Sequence, residues 1–146
     1  MELSYETRHV AAEILRFVVA AVWLVAAAAK ARAPAETRRS VDRLLGGPAW
    51  FIRITAVSLP LAETMLGLLM LAGWSIRPVA AISAVLFACF AVLVARAMLR
   101  DSLRGEGCGC FGVRAQPAAG GIASAAPGVA RNMVLAILAA AVAAAL

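Results

Sequence analysis

The chain has 146 residues and a mass of 15.1 kDa; it is 64% hydrophobic and 15% charged, with a formal net charge of +6 and a mean hydropathy of +0.90. Soluble domains average about 45–50% apolar and about 25% charged residues, and a domain this short hides only about 68–70% of the surface its unfolded chain exposes. Lipid must solvate much of the remainder, so the composition predicts one all-α, integral-membrane domain over 1–146, a four-helix bundle without a separate soluble catalytic domain. It also excludes nucleic acid as a partner, because the 14 basic residues flank apolar runs and act there as topology signals.

Four segments are apolar enough over about 20 residues to cross a bilayer. The first is expected over 10–29, with Glu13 and Arg16 near the interface and three apart, a helical spacing that allows pairing. A cleaved signal peptide is the rival reading for this segment; the mixed Glu2, Glu6, Glu13, Arg8 and Arg16 before the apolar run speak against it, so the helix is expected to be retained. Residues 30–49, with Lys30, Arg32, Arg38, Arg39 and Arg43 beside Glu36 and Asp42, suit a short amphipathic piece on the membrane surface. The second span is expected over 54–76, bracketed by Trp50 and Trp74 as interfacial aromatics. A tight turn at 73–78 leads to a third span over 79–99, behind Pro78. Residues 100–128 form a Gly-rich loop, and a fourth span is expected over 129–146, behind Pro127 and Gly128.

Counting Lys and Arg gives eleven on the first and third links with their helix ends, against three on the N-terminal region and second link. The positive-inside rule then places both long links in the cytoplasm and both termini outside. The membrane expected is the plasma (inner) membrane, crossed several times.

The most conspicuous chemical feature is Gly105-Glu106-Gly107-Cys108-Gly109-Cys110-Phe111-Gly112. Cys108 and Cys110 can close a small disulfide ring, helped by glycine's conformational freedom, and small strained disulfides exchange readily. Arg104 and Arg114 would favour a thiolate there. Structural cysteines are the second reading; metal binding is disfavoured, because only Cys89 and His9 remain to complete four ligands. Cys89, mid-span, reads as a small hydrophobe, and His9 as interfacial.

Glu63 stands about ten residues into the second span, where a charge is costly and turns to the bundle interior or a polar cavity. Pro60 removes a backbone donor one turn earlier and favours a kink. Lys30 and Arg131 are the candidate partners of Glu63, in a structural ion pair or in proton handling and ligand contact. Arg131 opposes the helix macrodipole and calls for a compensating carboxylate or lipid phosphate; Asn132 can hydrogen-bond between helices. No cofactor is evident, no metal is expected, and a quinone is a candidate electron acceptor.

These residues together resemble the MauE family, the methylamine-utilisation membrane proteins related to the DoxX group. The matching pieces are Ala28-Ala29-Lys30, Leu59-Pro60-Leu61-Ala62-Glu63, Cys108-Gly109-Cys110-Phe111-Gly112 and Arg131-Asn132, in order over essentially the whole chain. Alanine before Lys30, where Ser or Gly would be expected, is a minor departure. The resemblance implies a four-helix membrane bundle that works beside thioredoxin-like partners in maturing or transporting disulfide-containing clients, as in assembly of the methylamine dehydrogenase small subunit.

Two functions are expected. One is a membrane thiol–disulfide oxidoreductase using Cys108 and Cys110; the other is a non-enzymatic assembly or transport factor with structural cysteines. A small-molecule transporter ranks behind both, since four helices are few, although a homodimer would supply more, and no inverted repeat is visible. Disulfide formation belongs in an oxidising compartment, whereas the charge count puts the cysteines on the cytoplasmic side; a cytoplasmic pair would draw electrons from thiols there.

Overall fold

A computed structural model describes residues 2–99 and 122–146. They form five helices: α1 Glu2–Arg32, α2 Pro34–Leu45, α3 Ala49–Ala72, α4 Ile76–Leu99 and α5 Ile122–Ala145. No strand occurs among the described residues. Four of the helices carry apolar stretches long enough to cross a bilayer: His9–Arg32, Ala49–Ala72, Ile76–Ala97 and Gly128–Ala145. Only 22% to 33% of these stretches is buried within the protein, so most of their apolar surface faces outward to lipid.

Helix ends are set by the placement of breakers. The first proline is Pro34 and the first glycine Gly46, so nothing stops α1 from starting well before its apolar run. The amphipathic piece expected at the surface is α2, with Pro34 at its start and Thr37 and Val41 buried. α3 begins and ends four to five residues earlier than the hydropathy suggests, because Gly73, at φ 72°, caps it. α4 starts at Ile76 and absorbs Pro78 into its first turn, where the missing N–H is harmless. α5 starts at Ile122, so Pro127 lies inside the helix rather than ahead of it; alanine-rich 123–126 carries the helix upstream of the membrane-spanning part.

α1 packs against α3 and α5, and α4 packs against the same two, most extensively α5. The spans therefore run in the cyclic order α1, α3, α4, α5, with α1 opposite α4. Trp23 bridges that diagonal: its ring stacks on Phe87 with centroids 4.2 Å apart, and its Nε1–H donates to Ser83 Oγ at 3.0 Å. Trp23 and Ser83 are both fully buried, so the indole donor and the hydroxyl satisfy each other in the core. Val19, Ala20, Leu66, Met70, Val79, Ala139 and Val142 complete the packed centre. α2 lies against α3 and α4 at the end where α1 finishes and α5 begins.

Two close contacts fix α1 on α3. A Cβ on Gly67 would stand 2.7 Å from Leu24 Cγ and 3.2 Å from the Ala20 carbonyl, so the helices touch through a hydrogen atom, as small residues permit in membranes. At the other end, Arg16 pairs with Glu13 at 2.6 Å and donates from Nη1 to the Met70 carbonyl at 3.2 Å. A guanidinium from α1 thus supplies the positive charge that the last turn of α3 lacks. Gly67→Ala should destabilise the purified protein by about 1–3 kcal/mol through overpacking, read as a lower unfolding midpoint in detergent. Adding Leu24→Ala should recover most of that loss; a double variant no more stable than the single would rule out the steric origin of the effect.

Candidate functional site

Side chains on a helix tilt toward its N-terminus. Lys30, near the end of α1, therefore leans back into the membrane, and Glu63, on antiparallel α3, leans toward it. The two meet with Lys30 Nζ 2.7 Å from Glu63 Oε1 and 2.9 Å from Oε2. Their side chains are 10% and 3% exposed. Glu63 Oε1 and Oε2 thus both accept from one ammonium, the arrangement an ion pair needs where water is scarce. Thr64 Oγ1, one residue on, donates to the Pro60 carbonyl at 2.8 Å, within the stretch where proline offers no N–H.

The pair forms one side of a partly open cavity of about 40 Å³ lined by α1, α3, α4 and α5. Arg131 and Asn132 line it from the start of the membrane-spanning part of α5, Trp23 and Ala26 from α1, and Phe87 and Phe90 from α4. The sequence-expected residues Lys30, Glu63, Arg131 and Asn132, scattered over a hundred positions, therefore line one space. Lys30, rather than Arg131, is the salt-bridge partner of Glu63. Asn132 is 6% exposed, and its carboxamide makes no hydrogen bond among the described residues.

Cys108 and Cys110 lie outside the described residues. The segment carrying them joins the end of α4 to the start of α5, the same end of the bundle that carries Lys30 and α2. Cys89 is an exposed free thiol on α4. Among the described residues no group of three or more His, Cys, Asp or Glu is placed to hold a metal. Sequence reasoning does not single out Trp23, Ser83 and Phe87. The available signal is a tryptophan in mid-span, away from the interfacial positions that suit Trp50 and Trp74, with an indole N–H that must find a partner.

Comparison with known families gives a match. The family described as methylamine utilisation protein MauE matches residues 8–145. The chain belongs to the MauE family. The match covers all four spanning helices, so this is a multi-pass membrane protein of the methylamine-utilisation type. No curated protein and no solved structure matches the chain.

The ion pair is open to a direct test. Lys30→Met strands a buried carboxylate and should cost about 3–5 kcal/mol, as should Glu63→Met for the ammonium. Lys30→Met with Glu63→Met should cost far less than the sum, because no charge is left behind. A double-mutant cycle of unfolding midpoints in detergent checks this, and strict additivity would show that the two groups do not depend on each other.

Proposed function

We infer that this MauE-family protein exchanges disulfides with a thioredoxin-like partner through Cys108 and Cys110, in the maturation of a disulfide-containing client of the methylamine dehydrogenase small-subunit type. The observation that carries the reading is the Cys108-Gly109-Cys110 segment itself, inserted between α4 and α5 of a chain that matches the family over 8–145. In the exchange, a partner thiolate attacks one sulfur of the Cys108–Cys110 disulfide and the other cysteine leaves as thiolate. The partner's second thiolate then attacks the mixed disulfide. Two electrons pass from the partner dithiol to the cysteine pair, the partner becomes a disulfide, and two protons accompany the electrons. In the reverse sense the pair reduces the partner. A quinone or a second dithiol couple is the chemical class that would reset it.

Charge supports a cytoplasmic position for the end that carries α2 and the cysteine segment, since most Lys and Arg flank that end. Lys30 engages both oxygens of Glu63, so an alkylammonium entering the bundle meets no uncommitted carboxylate at that position. That favours a role in maturation over carriage of the amine. The second reading, a scaffold whose cysteines only pin their loop, draws on the same ion pair, which joins α1 to α3.

Cys110→Ser should trap a mixed disulfide through Cys108, or Cys108→Ser through Cys110, visible as a reducible higher-mass band with the thioredoxin-like partner. The double serine variant should abolish client maturation while its unfolding midpoint stays within about 0.5 kcal/mol of wild type, the range usual for substitutions that remove no packed or paired group. Normal maturation in the double variant would leave the scaffold reading standing and remove this one. Impermeant thiol labels, applied after reduction, report which side the pair faces.

A further inference from the structure

The cavity beside the ion pair has properties that thiol chemistry at Cys108 and Cys110 does not use. Its volume of about 40 Å³ suits two or three water-sized atoms, which is also the size of a single carboxylate or carbonyl group. Its polar lining is rich in donors. Lys30 carries three N–H donors and spends two contacts on Glu63. The carboxamide of Asn132 is nine-tenths buried, lines the cavity and is hydrogen-bonded to no described group. A carboxamide on a cavity wall offers N–H donors to a group that enters the space. Arg131 adds a guanidinium to the lining, and the remainder is apolar or aromatic, with Trp23, Phe87 and Phe90 on the same space, which suits an apolar body behind a small polar head. Glu63 does not reverse this preference, because Lys30 balances its charge.

We propose that this cavity is a binding site for an oxygen-acceptor head group, a carboxylate or carbonyl, held by the Asn132 carboxamide and the spare N–H of Lys30 with its planar face toward the aromatic side chains. The site stands whether or not the cysteines exchange disulfides. The shared chemistry can come from a water-soluble small acid or from an amphiphile dissolved in the bilayer, and the two differ only in the length of apolar chain attached to the head group.

Trp23 lines the cavity, whereas Trp50 and Trp74, the other two of the chain's three tryptophans, are 65% and 72% exposed. Trp50→Phe with Trp74→Phe therefore leaves Trp23 as the single tryptophan reporter, inside the site. The full-length protein in neutral detergent is titrated with acetate, decanoate and, as the control lacking a carbonyl oxygen, decanol. A saturable change in Trp23 emission with both acids identifies a site that a soluble acid fills. Saturation by decanoate alone identifies a membrane-borne ligand. In either case Asn132→Leu should weaken the half-saturation point about tenfold or more, the loss of one hydrogen bond to a charged group. Asn132→Asp keeps the side chain's shape but places a second carboxylate against the ligand, and in variant protein that circular dichroism shows to be folded it should abolish the response to both acids. A response to decanol as strong as to decanoate, no saturable response to either acid, or unchanged binding in Asn132→Asp would overturn the proposal.

Discussion

The bundle is organised around a carboxylate that a membrane tolerates only when it is paired. Glu63 is 2% exposed and more than halfway along α3, where transferring an isolated charge from water would be prohibitive. Lys30 makes it tolerable, and in doing so it sets the height of α1 relative to α3 and the face each helix turns inward. The remaining α1–α3 contacts agree with that register: Gly67 lets Leu24 and Ala20 approach, and Arg16 reaches the last turn of α3. A shift of one residue in either helix would rotate its side chains by about 100°, given 3.6 residues per turn, and would break all three contacts together.

The other half of the structure is held differently. α4 and α5 associate through small and apolar side chains, with Ala80, Ala139 and Val142 fully enclosed, and the Trp23 bridge to Ser83 and Phe87 is a polar and aromatic link to the charged half. One half thus relies on directional polar contacts and the other on van der Waals fit, the two forces that remain when lipid removes most of the hydrophobic driving force between helices. The cavity sits where the halves meet, which explains why its lining is drawn from all four spans.

Much of this is legible in the residues alone. An all-α membrane bundle is implied by hydropathy, the α2 segment by amphipathic charge spacing, and the Glu13–Arg16 pair by helical periodicity. Glu63 announces a buried partner because its charge has no other explanation, and Lys30 is one of the two cations the sequence nominates for it. The choice between Lys30 and Arg131 is not legible, since it depends on which helices are neighbours, and α3 lies beside α1 and diagonal to α5. Proline is a poor guide to the start of the last helix: Pro127 lies within α5, because the alanines before it sustain a helix at little cost in side-chain entropy. The Trp23 bridge is hidden because its partners, Ser83 and Phe87, stand sixty or more residues away and look ordinary in an apolar run.

The order of Lys30 and Glu63 along the chain bears on how the protein is made. Lys30 leaves the ribosome thirty-three residues before Glu63, with only the surface helix α2 and the start of α3 between them. When Glu63 reaches the insertion machinery, its counter-charge is therefore already at the bilayer boundary on the end where α3 enters. α1 and α3 can be released as a neutralised hairpin before α4 and α5 exist. Reversing the two residues would keep the mature ion pair but present the carboxylate to the membrane first, with its partner not yet synthesised.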